Sequence, residues 1–222
     1  MNHSVEGFEI ELICVIVNFG LGSKVIKTAK QFGATGATIT LGKGTVNSRL
    51  LDFIGISDMR KEIIYLVAEK KVADRVLEEL NEEYEFHKPS HGIAFTTSIG
   101  SVVGMKSLNS EYLIDVKGDE ETMYHIITTI VDRGKAENVI SAASRAGSKG
   151  ATIINARGSG IHETAKLFAM EIEPEKEIVV ILTERHMTEG IVASIREELK
   201  IDEPGKGIIF IQNVNKTYGL RK

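Results

Sequence analysis

The chain has 222 residues, 42% hydrophobic and 26% charged, which is the composition of a folded globular protein rather than a disordered one. Lysine and arginine total 27 against 31 aspartates and glutamates, and the net charge of −4 argues against a nucleic-acid partner, whose phosphates favour a basic surface. The apolar runs fall short of the ~20 residues that a membrane-spanning helix needs, so membrane insertion is not expected.

The first half of the chain shows hydrophobic patterns in the order strand, helix, strand, strand, helix, strand. Stretches rich in Ile and Val predict four strands, at residues 11–17, 37–41, 62–68 and 93–99. Apolar stripes at helical spacing predict the two helices, and Gly33 ends the first of them. These stripes consist of Val25, Ile26, Ala29 and Phe32, and of Val72, Val76, Leu77 and Leu80.

The second half repeats this order. With a shift of 114 residues, residues 25–44 lie over residues 139–158 with nine identities in twenty positions, and the shared core reads Gly-x-x-Gly-Ala-Thr-Ile. Further on the shift becomes 115, so that Lys-Glu-Ile at 61–63 lies over Lys-Glu-Ile at 176–178. The second set of strands is predicted at residues 124–131, 151–155, 177–183 and 208–214.

The βαββαβ order predicts an α+β fold made of two ferredoxin-like domains in tandem. We expect domain 1 at residues 8–103, a polar linker at 104–121 and domain 2 at 122–220, with a short edge strand possible at 113–116 inside the linker. Two helices cover only one face of each four-stranded sheet. An apolar second face would then need another domain or subunit, which predicts a homo-oligomer.

The candidate binding elements are glycine-rich loops that carry a cation. Residues 42–45 and 157–160 open a long loop between the second and third strands of each half, and long loops are often functional. Residues 203–207 and 87–92 form a second such element before each last strand. Glycines let backbone N–H groups approach phosphate oxygens closely, although a Gly-rich strand exit is more often a plain turn.

Other chemistry is poorly supported by the sequence. His87 and His91 lack the further ligands of a zinc site, because Pro89 between them prevents a helix and no cysteine is near. The single cysteine, Cys14, lies in the middle of a predicted strand and is expected to be an inert buried thiol in a reducing, cytoplasmic location. The sequence contains no poised acid and base pair, so we predict no enzymatic activity.

In this order of elements, with Gly-Ala-Thr-Ile opening the second strand and Pro-Gly-Lys-Gly at 204–207, the chain resembles the PII-type nitrogen-regulatory signalling family. The resemblance implies a trimeric sensor that binds ATP or ADP, with Mg²⁺ and often 2-oxoglutarate, in clefts between subunits. It also implies signalling through long mobile loops to a regulated enzyme or membrane transporter. By the same resemblance the nucleotide-binding residues are Thr152, Gly158, Gly160, Gly205, Lys206, Gly207 and Arg221, with Thr38, Gly44 and Gly92 in the first half.

The chain also departs from the family pattern. Ile208 replaces the family's phosphate-binding lysine, and His162 stands at the position of a glutamine that holds metal and 2-oxoglutarate, where an imidazole could ligate a metal. No tyrosine lies in either long loop, so modification of a tyrosine there is not expected. The alternative is a metal-responsive or structural trimer of the CutA type that binds no nucleotide. Three chains give six domains and could form two rings of three, so a homotrimer is the simplest assembly.

Overall fold

The computed structural model describes residues 9–45, 58–105, 123–160, 165–167 and 170–219. The chain divides into two compact units, unit 1 at Met1–Ser98 and unit 2 at Ile99–Lys222. The sequence analysis placed the end of domain 1 at residue 103 and a linker at 104–121. The division falls earlier because residues 101–103 form a strand that pairs within unit 2. Most of the expected linker, including the possible strand at 113–116, lies outside the described residues.

Unit 1 has the predicted βαββαβ order. Its strands and helices are β1 (Ile10–Asn18), α1 (Gly22–Gln31), β2 (Ala37–Thr45), β3 (Asp58–Glu69), α2 (Lys70–Tyr84) and β4 (Ile93–Ile99). The sheet order is β4-β1-β3-β2, and β3 pairs antiparallel with both β1 and β2. This is the ferredoxin-like arrangement.

Unit 2 repeats the arrangement with one added strand. Its elements are β5 (Ser101–Val103), β6 (Tyr124–Asp132), α3 (Ala136–Arg145), β7 (Thr152–Ser159), β8 (Ala165–Leu167), β9 (Met170–Ile172), β10 (Glu175–Glu184), α4 (Thr188–Leu199) and β11 (Ile208–Val214). The main sheet has the order β7-β10-β6-β11-β5, and β8 and β9 form a separate hairpin. The predicted fold class, two ferredoxin-like units in tandem, is confirmed.

The core of each unit lies between the helices and one face of its sheet. In unit 1 the alternate residues Ile13, Val15 and Val17 of β1 are fully buried against the apolar stripe of α1, which includes Val25 and Ala29. Alternation places every second strand residue on the same face, while the helical stripe repeats every three or four residues. The helix stripes predicted for unit 1 therefore face the core, with Phe32, Val72 and Leu77 partly buried at its margin.

The first helix of each unit ends just before a glycine, at Gly33 as predicted and at the equivalent Gly147. Gly33 and Gly147 have φ values of +109° and +92°, a left-handed conformation that glycine adopts without steric cost. The next residues, Ala34 and Ser148, donate backbone hydrogen bonds of 3.0 Å to Ala29 and Ala143 inside the helices. Each helix thus terminates in a tight capped turn.

The second and third strands are longer than the sequence analysis predicted. β2 continues through Gly42, Lys43 and Gly44 to Thr45, and β3 begins at Asp58, so the strands occupy positions assigned to a loop. The remaining residues, 46–57, lie outside the described part of the chain. In unit 2 the predicted loop between β7 and β10 contains the hairpin of β8 and β9.

A carboxylate from the third strand caps the first helix in each unit. Glu62 is 1% exposed, and its Oε2 accepts hydrogen bonds from the backbone N–H of Gly20 at 3.0 Å and of Gly22 at 2.6 Å. In unit 2, Glu177 Oε2 accepts from Gly134 at 3.0 Å and from Ala136 at 2.9 Å. A negative group at a helix N-terminus satisfies free N–H groups and interacts favourably with the helix dipole.

We predict that Glu62→Gln lowers the free energy of unfolding by ~1.5–3 kcal/mol, since the neutral amide weakens two charge-assisted hydrogen bonds, one of them buried and the other partly buried. The matched variant Glu177→Gln should lower the free energy of unfolding by less, about 0.5–1 kcal/mol, because the hydrogen bond from Gly134 to Glu177 is exposed to water. Urea denaturation of the full chain measures both. Equal costs in the two variants would show that burial of Glu62 does not set the strength of this cap.

Candidate functional site

The predicted loop base at residues 157–160 begins inside strand β7. The Gly158 N–H donates to the carbonyl oxygen of Pro174 at 3.0 Å, and Arg157 Nε donates to Glu173 Oε2 at 2.6 Å. Glu173 is largely buried, with its side chain 13% exposed. The backbone N–H of Gly158 is therefore engaged in strand pairing, and the Arg157 guanidinium already has a carboxylate partner.

The corresponding glycine of unit 1 is also a strand residue. Gly44 lies opposite Met59 in the pairing of β2 with β3. A Cβ atom at Gly44 would come within 2.7 Å of Lys61 Cε, so the lysine stem crosses the backbone there. The Lys61 side chain extends to Asn18, where its Nζ donates a hydrogen bond to Oδ1 at 2.5 Å. A side chain at position 44 would therefore clash with the Lys61 side chain, which explains the glycine by packing.

The second predicted element, residues 203–207, is an exposed turn that leads into β11. Gly205 has φ +82°, and among the described residues no atom lies within 4 Å of the position that a Cβ would take, so its backbone is open on that side. Gly207 has φ +138°, and a Cβ there would lie 2.6 Å from the carbonyl oxygen of Ile130. Gly92 in unit 1 makes the same approach, 2.5 Å, to the carbonyl oxygen of Ile16. Gly207 and Gly92 are therefore required for backbone packing, whereas Gly205 is accessible.

The charged groups of this turn surround one carboxylate. Lys206 Nζ lies 3.9 Å from Glu203 Oε2, and Lys200 Nζ lies 4.0 Å from Glu203 Oε1. All three side chains are more than half exposed. Next to them, Arg196 Nε donates to Asp202 Oδ2 at 2.6 Å. The turn therefore presents two lysines held loosely around Glu203, a residue that the sequence analysis did not single out because its spacing carries no signal.

Strand register shows which predicted residues share one end of the sheet. Ile208 pairs with Ile130, and Lys176 pairs with Asp132 on one side and Ala156 on the other. The turn at 203–207 and the end of β7 at Gly158 thus lie at the same end of unit 2, separated by three strand spacings, about 14 Å. Gly160 follows two residues after Gly158.

Thr152 lies away from the other predicted contacts of unit 2. It begins β7 and pairs with Val180, six residues before Gly158, which corresponds to about 20 Å along a strand. In unit 1 the equivalent Thr38 is 7% exposed and pairs with Tyr65. Thr152 and the predicted nucleotide contacts at Gly158 and at the turn 203–207 are therefore not brought together within one unit.

Two predicted residues, His162 and Arg221, lie outside the described residues. Across the described ranges there is no group of three or more His, Cys, Asp or Glu side chains that could hold a metal ion. Burial raises the pKa of the Cys14 thiol to about 11, so the cysteine is a thiol rather than a thiolate at neutral pH, as the sequence analysis expected.

A buried histidine was missed by the sequence analysis. His125 of β6 is 2% exposed, and its Nδ1 lies 3.0 Å from Thr188 Oγ1 at the start of α4. Its Nε2 has no hydrogen-bond partner among the described residues. Burial lowers the pKa of His125, and the nearby Arg185 charge lowers it further, so the ring is neutral in the folded protein near pH 7. Its neighbours face it from three elements: Thr183 of β10, Asn213 of β11 and Thr188 of α4.

Comparison with protein families gives one match. Residues 124–222 match the model described as nitrogen regulatory protein P-II. Residues 124–222 are a P-II domain. The match covers β6 to β11 with the turn at 203–207, and unit 1 is related to this P-II domain by the internal repeat. No protein of curated function gives a significant match to the chain.

Solved structures with likeness to the chain include two PII proteins. A protein described as PII-like from Thermus thermophilus is 26% identical over 41% of this chain and 88% of its own, with a TM-score of 0.32. Arabidopsis thaliana PII bound to citrate is 22% identical over 42% of this chain and 77% of its own, with a TM-score of 0.33.

A longer match is the regulatory subunit of aspartate kinase from Thermus thermophilus, 13% identical over 86% of this chain and 93% of its own, with a TM-score of 0.38. At these TM-scores the structural likenesses carry no functional conclusion. The P-II assignment of residues 124–222 rests on the family model.

None of the helices in the described ranges has the length and hydropathy that crossing a membrane requires.

We predict that Gly207→Ala destabilises the P-II domain by at least ~3 kcal/mol, because the new methyl group meets the Ile130 carbonyl in a conformation that alanine rarely adopts. Gly205→Ala should cost only ~1–2 kcal/mol, the penalty of a left-handed alanine in open space. Chemical denaturation compares the two. Similar costs would mean that the backbone at Gly207 has room for a side chain.

We predict that the free energy of unfolding falls as the pH drops below about 6.5, by up to ~1.4 kcal/mol per pH unit from His125 alone. The unfolded chain binds a proton there that the folded chain, with its lowered His125 pKa, does not bind. His125→Gln should remove this part of the pH dependence. The control His186→Gln changes an exposed ring and should keep it. Urea midpoints at several pH values test this, and an unchanged slope in His125→Gln would contradict it.

Proposed function

We propose that this chain is a non-catalytic sensor that binds a nucleotide or a small anionic metabolite through its P-II domain. The observation that carries the proposal is the P-II match over residues 124–222, which includes the glycine-rich turn at 203–207. The alternative of a metal-responsive CutA-like trimer is not favoured, because the family model that matches is that of P-II.

The turn offers groups suited to an anion. The backbone at Gly205 is open, and the Lys206 side chain beside it is about half exposed. Backbone N–H groups and an exposed cation are the usual contacts of a phosphate or carboxylate ligand. Lys206 in this role takes the place of the family's lysine, whose position is occupied by Ile208.

Glu203 regulates how available these lysines are. Exposed ion pairs contribute only ~0–1 kcal/mol, so an incoming phosphate can displace the Glu203 carboxylate from Lys200 and Lys206 at little cost. At the same time the carboxylate repels an anion bound at the turn. The Glu203 carboxylate therefore lowers the affinity of the turn for an anion, and a substitution that removes its charge should raise that affinity.

The assembly and the output are further parts of the proposal. Within one unit the turn and the end of β7 are about 14 Å apart, so a single ligand would need contacts from a neighbouring copy, as in a homotrimer. Thr152, Gly158, Gly160 and Arg221 are then the residues to examine for such contacts. We further propose a cytoplasmic location, Mg²⁺ as an accompanying ion, and a regulated enzyme or membrane transporter as the partner, with a role in nitrogen regulation.

Isothermal titration calorimetry with ATP and ADP, with Mg²⁺ and with or without 2-oxoglutarate, tests the proposal. We expect micromolar binding of at least one nucleotide. Glu203→Gln should tighten it about fivefold, the factor that removal of roughly 1 kcal/mol of repulsion gives. The control Glu189→Gln makes the same change of net charge at the other end of α4 and should leave the affinity unchanged.

Three results would argue against this function. An absence of heat with every nucleotide would reject nucleotide sensing. Binding that Glu203→Gln and Glu189→Gln change equally would place the ligand away from the turn at 203–207. Hydrolysis of the nucleotide during the titration would contradict the non-catalytic assignment.

A further inference from the structure

The first helix of unit 1 carries positive charge only. α1 contains three lysines and no acidic residue, and Lys24 lies in its first turn, where a cation opposes the helix dipole. Lys24 and Lys27 are exposed and three residues apart, so they share one side of the helix. Within the described ranges neither ammonium group forms an ion pair or a hydrogen bond. These two lysines therefore do not serve the stability of α1.

The chain just before α1 adds an aromatic side chain and a further cation. The Phe19 side chain is 51% exposed, and the Arg60 guanidinium lies 5.8 Å from the centre of its ring. The backbone N–H of Phe19 donates to the Arg60 carbonyl oxygen at 3.2 Å, which holds the two residues next to each other. Aromatic residues and arginine are enriched at the cores of protein interfaces. Phe19, Lys24, Lys27 and Arg60 are called the basic face below.

Unit 2 has no such surface at the equivalent positions. By the shifts of the internal repeat, the counterparts of the four residues are, in the same order, Arg133, Asn138, Ser141 and Glu175. Arg133 and Glu175 form an ion pair with each other, and the first turn of α3 contains an acidic residue, Glu137, as the helix dipole favours. The same frame is therefore neutral in unit 2 and basic in unit 1, so the fold does not require these cations.

The helix beside α1 is acidic and limits what the basic face can bind. Thr28 Oγ1 of α1 donates to Glu83 Oε2 at 2.7 Å, so the C-terminal half of α2 packs next to α1. Glu78 and Glu82 are exposed on this half of α2. A broad anionic surface, such as a lipid bilayer or a nucleic acid, would meet these carboxylates together with the lysines and would be repelled by them. A narrow acidic segment of a protein can lie along α1 alone.

We propose that the basic face binds an acidic segment of a partner protein, with carboxylates on its three cations and an apolar side chain on Phe19. Carboxylates on the same side of an extended segment are about 7 Å apart, a spacing that two flexible lysines one helical turn apart can reach. Charge complementarity of this kind gives specificity and fast association more than high affinity. The inference rests on the proposed function only in that it supplies the chemistry of the regulated partner, and it requires no ligand at the turn 203–207.

Fluorescence anisotropy with the full chain tests the contact. The probe is a short fluorescein-labelled peptide of glutamates with one central leucine, and we expect it to bind at low salt and to dissociate as salt is added. Lys24→Asn with Lys27→Ser introduces the residues that unit 2 has at these positions. This double variant should raise the dissociation constant roughly tenfold, the combined loss of two exposed ion pairs. Phe19→Ser should raise it roughly threefold through the lost apolar contact.

A matched control separates the basic face from net charge. Lys149→Asn with Lys216→Ser makes the same two changes at exposed lysines of unit 2 and should leave the dissociation constant of the peptide unchanged. Nucleotide titrations of the double variant at Lys24 and Lys27 should match those of the unchanged chain. Peptide binding at the basic face without any nucleotide binding would support this inference while rejecting the proposed nucleotide sensor.

Four results would overturn the inference. The first is that the acidic peptide does not bind, and the second is that the control variant weakens binding as much as the double variant at Lys24 and Lys27. The third is binding of phosphatidylserine vesicles that this double variant abolishes, which would make a membrane the occupant of the basic face. The fourth is a lower urea midpoint in the same variant, which would show that the two lysines stabilise the fold.

Discussion

The buried carboxylate of Glu62 is the interaction on which the architecture of unit 1 depends. It connects the middle of the sheet, at β3, to the N-terminus of α1, and it does so by accepting hydrogen bonds from two backbone N–H groups at the start of that helix. The adjacent Lys61 bonds Asn18 at the end of β1. One short segment, Lys-Glu-Ile, therefore sets strand register and helix position together, and the same segment at 176–178 does this again in unit 2 through Asp132 and Glu177.

Around this shared frame the two units have diverged at their turns. Ser90 of unit 1 holds a left-handed backbone with φ +67°, where Gly205 of unit 2 holds +82° without a side chain. A serine in the left-handed conformation costs about 1–2 kcal/mol relative to glycine. The turn of unit 1 thus has this conformation although the local preference of Ser90 opposes it. The backbone geometry of the turn is evidently part of the fold. The open glycine and the pair of lysines around one glutamate, by contrast, occur in the turn of unit 2, whereas the turn of unit 1 pairs a single lysine, Lys88, with Glu85. Unit 2 contains the residues that match the P-II family.

The order of elements, the helical stripes and the ends of the first helices could be predicted because each depends on residues close in sequence. The extension of β2 through Gly42 and Gly44 could not, since glycine has little preference for strands and only the distant partner β3 holds these residues extended. Glu173 and Glu203 could not be identified from the sequence for the same reason, because their roles depend on cations that the fold places beside them. The strand at Ser101–Val103 was missed because three residues carry no periodicity, and its partner is more than a hundred residues away.

The strand β5 lies next to the turn of the proposed ligand site. Gly104 packs on the carbonyl of Gly207, so the strand that closes the sheet edge of unit 2 also supports the turn to which we assign ligand binding. In unit 2 this support is built into the chain. In unit 1, among the described residues, no strand pairs with the outer edge of β4, so no strand supports the corresponding turn at Gly92 in this way. Duplication followed by divergence thus provides one turn that a paired strand supports and one that no strand among the described residues supports.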